Sequence, residues 1–192
     1  MSIYPENIAA FARSPKFTGV PEHANAEGKA ASFICGSFVE FSLRIDTGTK
    51  TILDARYTTN GCGYMIAAGE CVAREVVGTK LTDLGGADEM ARSVFSTLGN
   101  VEAGRTHCLD TVAESFRAAL ADYRRRTIEE FAGEKALICT CFGVSEETII
   151  KVIKAAKAVS VMSVSAACNA GSGCGSCQML IQELIDSRND GF

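Results

Sequence analysis

Two groups of cysteines carry the chemistry that this chain could do. Near the C-terminus, Cys139 and Cys141 form a C-x-C pair, and Cys174 and Cys177 form a C-x-x-C pair. Earlier in the chain stand Cys35, Cys62 and the neighbours His107 and Cys108, each beside glycine or histidine. Thiolates and imidazole are the ligands that zinc and iron–sulfur clusters take. The tail set is read as a site that holds a cluster permanently, and the front set as one that holds it loosely. Nine cysteines cannot all pair within one chain. In a reducing compartment, clustered thiols serve metals or catalysis more often than disulfides.

The spacing of the tail set is informative by itself. Residues i and i+2 of an extended segment project to the same side, so Cys139 and Cys141 present their thiols together. Gly175 and Ser176 make the turn that brings Cys174 towards Cys177. Gly171, Gly173 and Gly175 let backbone N–H groups approach thiolate or sulfide closely. The segment Gln178–Ser187 is helix-like, with Met179, Leu180, Leu184 and Ile185 as its expected buried stripe, and thiolates at its start gain from the helix dipole. Ser145 followed by Glu146 and Glu147 reads as another helix start. Zinc and an iron–sulfur cluster both suit such a set. Cys168 lies outside the pattern and reads as a small apolar residue.

The front set is too dispersed for spacing to define a site. Its local context still favours one: Gly36 follows Cys35, Gly61 and Gly63 flank Cys62, and His107 sets an imidazole beside Cys108. A labile site needs soft ligands on accessible chain, and a thiolate there is also a nucleophile able to accept sulfane sulfur. Zinc or iron–sulfur remains open for this set too. Cys71 reads as core, and His23, alone in a loop-like stretch, has no assigned role.

The elements that must position these residues follow from periodicity. A short helix is expected over 5–12, then irregular chain to about residue 30. Alternation of apolar residues predicts a strand from Phe33 to Ile45, and Asp46-Thr47-Gly48-Thr49 is turn chemistry leading to a second strand over 51–59. Met65–Val77 and Asp88–Leu98 read as helices. The clearest helix is expected from Thr106 to Arg125, with Leu109, Val112, Ala113, Phe116, Leu120 and Tyr123 as one buried stripe. Residues 126–137 form a polar connector. The domains are therefore expected at 1–125 and 138–192, and the short tail gains stability from a metal centre.

Composition bounds the partners. With 19 Lys+Arg against 23 Asp+Glu the chain is mildly acidic, and the one basic run, Arg124-Arg125-Arg126, ends a helix, where cations suit the dipole. Nucleic acid is thus not an expected partner. No apolar run is long enough to span a bilayer, and the N-terminus lacks the pattern of a secretory signal, so no membrane role and a cytoplasmic location are expected.

Cys139-Thr-Cys141-Phe-Gly-Val-Ser145 with Ala170-Gly-Ser-Gly-Cys174-Gly-Ser-Cys177 resembles the bacterioferritin-associated ferredoxin domain, which implies a permanent 2Fe-2S cluster on those four cysteines. Cys35-Gly36, Asp54-Ala-Arg-Tyr57 leading to Gly61-Cys62-Gly63, and Thr106-His107-Cys108 are similar to the IscU/NifU scaffold domain. The order of the two is that of the NifU family. The resemblance implies an α+β fold, an IscU-like domain with a small antiparallel sheet packed by helices, followed by a small, mainly helical 2Fe-2S domain. It also implies that Cys35, Cys62 and Cys108 accept sulfur from a cysteine desulfurase and, with iron, assemble a transient cluster for transfer to recipient apoproteins. His107 is taken as the fourth ligand. The chain would be an assembly platform rather than an enzyme, its partners a desulfurase, recipient apo iron–sulfur proteins and an electron donor, with a homodimer allowed.

Three departures from the family pattern bear on this. Ser37 stands where the family has an aspartate two residues after the first cysteine, and a serine hydroxyl is a poor iron ligand. Val101-Glu-Ala-Gly-Arg105 replaces the proline-containing segment read by a dedicated chaperone. The family's third, carrier domain is not expected within these 192 residues. The alternative reading is a 2Fe-2S electron carrier or redox regulator with a degenerate scaffold domain. A zinc-bound sulfur acceptor is the third.

Overall fold

The computed structural model describes residues 3–84, 92–93, 96–99, 101–130, 136–156 and 160–189. The chain divides into two compact units, Met1–Tyr123 and Arg124–Phe192.

In the first unit a short helix α1 (Glu6–Ala12) precedes three strands, β1 (Ala26–Ala31), β2 (Phe38–Ile45) and β3 (Ile52–Thr59). They pair antiparallel in the order β1-β2-β3. Register places Phe41 opposite Tyr57 and Leu43 opposite Ala55. These four residues therefore share the buried face of the sheet. Helix α2 (Gly63–Val76) and helix α3 (Thr106–Glu130), the latter as far as Tyr123, belong to the same unit. The core joins Phe41, Leu43 and Tyr57 to Met65 and Val72 of α2 and to Leu109, Val112 and Phe116 of α3. Phe116 meets Phe41 edge-on with ring centroids 5.7 Å apart, and Phe116→Ala would cost about 3–5 kcal/mol.

The close seat of α3 on the sheet depends on two residues. A Cβ at Gly28 would lie 2.1 Å from Ala119 N, so only glycine lets the helix backbone in. Buried Ser115 donates to Gly28 O at 2.8 Å and accepts from Phe41 N at 3.1 Å. This clamp fixes the helix that carries His107 and Cys108.

Two local expectations change. The strand expected from Phe33 begins only at Phe38, and residues 32–37 are a turn in which Gly36 takes φ +70. Phe33 and Ile34, the apolar members of the alternation there, are exposed. Residues 26–31, expected to be irregular, form β1, with Ala26 and Gly28 buried because α3 and β2 cover them. Tertiary packing overrides a poor strand composition here. The helix expected to stop at Arg125 continues to Glu130, so residues 126–130 of the expected connector are helical. The segment expected helical over 88–98 falls largely outside the described residues; 92–93 and 96–98 are helical.

In the second unit β4 (Leu137–Cys139) and β5 (Val144–Ser145) form a small antiparallel hairpin. Three helices follow: α4 (Glu146–Ala156), α5 (Val161–Cys168) and α6 (Gln178–Asn189). Ser145 Oγ accepts from Thr148 N at 3.2 Å, the helix start expected from the sequence. A reciprocal Ser160–Ser163 capping box opens α5, a helix the periodicity did not reveal. Ile149, Ile153, Val164, Ile181 and Ile185 form the small core. Among the described residues no helix is long and apolar enough to cross a membrane.

Candidate metal centres

The first unit brings its three cysteines to one end. Cys62 is the N-cap residue of α2, and Cys108 lies in the first turn of α3, so both thiols sit at the positive ends of helix dipoles. Their Sγ atoms are 3.7 Å apart, and His107 Nε2 lies 3.4 Å from Cys108 Sγ. Cys108 is fully buried. Burial, followed by the neighbouring Cys62, pushes its thiol up to about 12.

Cys35 is different. It is exposed on the turn between β1 and β2. Hydrogen bonds from the N–H and then the hydroxyl of Ser37, with smaller help from Ser32 and His107, bring its thiol down to about 6. Ser32 is itself the hub of that turn: its N–H donates to Ser37 O and its carbonyl accepts from Gly36 N, both at 2.8 Å. Ser37, a poor iron ligand, has a second capacity here, donation to a thiolate, and the signal in the chain is a hydroxyl two residues after the cysteine.

The turn at Cys62 is tied to the same place. Asn60 Oδ1 accepts from Phe38 N at 2.8 Å, and Thr59 Oγ1 accepts from Gly61 N at 2.9 Å. The glycines beside Cys62 serve packing rather than looseness. A Cβ at Gly61 would lie 2.4 Å from Met65 Sδ, and one at Gly63 would lie 2.7 Å from the Tyr4 ring. Gly36 alone among the glycines beside these cysteines has open space around it.

The second unit gathers its set more tightly. Cys139, Cys141, Cys174 and Cys177 all line one cavity of about 220 Å³, together with Ile138, Gly173 and Leu180. Cys141 Sγ lies 3.3 Å from Cys174 Sγ. Cys139 and Cys177 are buried, and burial followed by Cys139 pushes the Cys177 thiol up to about 11. Cys174 is exposed, with Ser176 Oγ 3.2 Å away; hydrogen bonds from that hydroxyl and from the Ser176 N–H bring its thiol to about 7. A Cβ at Gly173 would lie 3.0 Å from Cys141 Cβ, so a side chain there would press on the wall of the cavity.

Cys177 faces inward, and Ile181 and Ile185 follow it at i+4 and i+8 as the buried stripe of α6. The stripe expected from the sequence is thus corrected: Met179 and Leu180 are exposed, and Ile181 takes their place. Cys168 is half-buried and donates to Val164 O at 3.3 Å, while Cys71 is buried in the first core. Among the described residues, no three His, Cys, Asp or Glu donors already converge on a single metal position. The close contacts are those of Cys62 and His107 with Cys108 in the front set and of Cys141 with Cys174 in the tail set. Two thiol pairs around one cavity fit a 2Fe-2S cluster, which takes two thiolates on each iron.

Residues 3–130 match the NifU-like N terminal domain profile. The chain belongs to that family. Residues 137–187 match the BFD-like 2Fe-2S binding domain. The chain is similar to the nitrogen fixation protein NifU of Azotobacter chroococcum mcd 1, with 31% identity over 95% of the chain. It spans 58% of that relative's length. It is 26% identical to the iron–sulfur cluster assembly scaffold protein IscU of Aquifex aeolicus, over 75% of the chain and 89% of that protein. In fold, it is similar to the crystal structure of the N-terminal part of a NifU-like protein from Brucella abortus, with a TM-score of 0.52 and 18% identity over 65% of the chain and 96% of that structure. All three cysteines and the histidine of the front set lie within the NifU-like match, and all four tail cysteines lie within the BFD-like one.

Proposed function

We propose that the chain is a scaffold on which iron–sulfur clusters are built and from which they are passed on. In this reading Cys35, Cys62, Cys108 and His107 hold the nascent cluster as cargo, and Cys139, Cys141, Cys174 and Cys177 hold a resident 2Fe-2S group. The observation that carries it is the division of labour at the front set. An exposed Cys35, supplied with hydrogen bonds that favour its thiolate, stands near a half-buried Cys62 and a buried Cys108, whose sulfurs are only 3.7 Å apart.

The chemistry assigned to Cys35 is sulfur acceptance. Its thiolate attacks the outer sulfur of a desulfurase persulfide; the S–S bond of that persulfide breaks, and the desulfurase cysteine leaves as thiolate. Cys35 then bears the persulfide on a turn that a partner can reach. Cys62, Cys108 and His107 supply the remaining ligands for iron. Turning the sulfane sulfur into sulfide takes two electrons, and the 2Fe-2S group would supply one-electron transfer at the tail, fed by an external donor protein. Catalysis resides in the desulfurase, so the chain is a platform and not an enzyme. Its cysteine ligands belong to a reducing compartment, the cytoplasm.

The test is to incubate the chain with a cysteine desulfurase, cysteine and ferrous iron and count iron and sulfide per chain. A scaffold gains cluster beyond the tail group, and Cys35→Ser lowers that gain at least tenfold. The electron-carrier reading, which Ser37 in place of the family's aspartate favours, predicts no gain.

A further inference from the structure

Helix α6 has two different faces beside the tail cavity. Ile181 and Ile185 are buried in the small core, whereas Met179 and Leu180 are 78% and 46% exposed. Leu180 also lines the cavity that holds the four cysteines, as does Ile138. One side chain is therefore both a wall of the site and a piece of outer surface, and a protein seated on it touches that wall. Glu183 and Asp186 follow Met179 at i+4 and i+7, so they share its face, and both are exposed. Asp186 is held by Gln182, whose Nε2 donates to its Oδ1 at 2.7 Å. From Gln178 to Phe192 the sequence has three acidic residues against one arginine. An apolar centre with a polar rim is the make-up of a docking surface, and this rim is acidic.

We propose that Met179 and Leu180, rimmed by Glu183 and Asp186, are the docking surface for a basic one-electron donor protein. The inference rests on the reading that the four tail cysteines hold a 2Fe-2S group. One electron leaves the partner's centre, one ferric ion of the group becomes ferrous, and no bond forms or breaks. Such a transfer needs approach and quick release rather than tight binding, so a small surface suffices. The flexible Met179 adapts to a partner without demanding one geometry. The two carboxylates steer and orient a protein of opposite charge. The complementary chemistry on the partner is a ring of lysines around an exposed redox centre.

The probe is cytochrome c, a lysine-rich haem protein that accepts one electron and reads the same surface in the reverse direction. The full chain, its front site cleared by a chelator and its tail group reduced electrochemically, is mixed with ferric cytochrome c while the haem absorbance is followed. The second-order rate constant should fall steeply as salt rises. Glu183→Lys combined with Asp186→Lys should lower it about tenfold at low salt. Met179→Ser should lower it about threefold at low and high salt alike, with the absorbance of the tail group retained in both variants. A zero-length carbodiimide, which joins carboxylates to lysines, should link cytochrome c to Glu183 and Asp186 whether or not the tail group is loaded. Rates that ignore these three residues, or cross-links that map elsewhere or join two copies of this chain, overturn this inference alone. A wild-type chain that takes up no tail group overturns the underlying reading and this inference with it.

Discussion

Cys35 and Cys139 are the first cysteines of their sets, and the structure treats them oppositely. Cys35 stands exposed on a turn whose glycine has open space around it. Cys139 is buried at the end of a strand, in the wall of a cavity that its three partners share. The ligand chemistry is nearly the same; the mechanical support differs. A thiol on an exposed turn can meet a partner's thiolate and exchange. Thiols set into a cavity wall, with Gly173 packed on Cys141 and Ile181 behind Cys177, can let go only if the small core yields. Electrostatics repeats the pattern within each set, because each pairs an exposed cysteine of lowered proton affinity, Cys35 or Cys174, with a buried one of raised affinity, Cys108 or Cys177.

The sharpest way to break the comparison is Cys139→Ala. It should abolish the visible absorbance of the tail group and lower the melting temperature of the second unit, while the front set still gains cluster from desulfurase and iron. Loss of both together would mean that the two sets are one functional unit.

The next effect is one of pH in the metal-free chain. Cys35 has its proton affinity lowered to about 6, so its thiolate is present above that pH and is lost as pH falls through it. Cys108, raised to about 12, stays protonated throughout the physiological range. Alkylation followed by peptide mass mapping should therefore modify Cys35 at least a thousandfold faster than Cys108 at pH 7. Its rate should fall about tenfold per unit once the pH drops below about 6. A midpoint at the ordinary thiol value would remove the electrostatic half of the comparison.

Gly173→Val comes third. The added side chain would press on Cys141 and Phe142, costing about 1–3 kcal/mol, and tail iron content should drop severalfold while the front gain is unchanged. The smallest effect is expected from Ser37→Asp. The carboxylate removes a hydroxyl donor and sets a like charge beside the Cys35 thiolate, so the alkylation midpoint should rise. Cluster transfer to an apo-ferredoxin should quicken about threefold. An unchanged transfer rate would leave Ser37 without a role in lability.

Much of this was legible in the chain. The spacing of the tail cysteines, the cap at Ser145 and the amphipathic stripe of α3 are local signals, and each stands in the structure where its period put it. The errors share one physical cause, long-range packing. Phe33, Cys35 and Ser37 continue the alternation of Val39, Phe41 and Leu43 in β2, yet Gly36 turns the chain and leaves Phe33 in solvent. Ala26–Ala31 has little strand character, and it is a strand because α3 and β2 lie against it. On α6, Met179 and Leu180 are as apolar as Ile181, and only the inward direction of Cys177 decides which of them is buried. The donation from Ser37 to Cys35 likewise depends on the turn that Ser32 closes, and no periodicity encodes that turn.

The central claim is that one set releases its cluster and the other keeps it. It is tested most directly by isotope: the tail is loaded with iron of natural abundance, the front cluster is then built with iron-57, and the chain is mixed with an excess of apo-ferredoxin. Isotope-resolved mass spectrometry of the iron in the separated proteins should find the iron-57 in the ferredoxin and the natural-abundance iron still on the chain, with the visible absorbance of a 2Fe-2S group. Iron-57 retained on the chain, or both isotopes appearing together in the acceptor, would contradict the account.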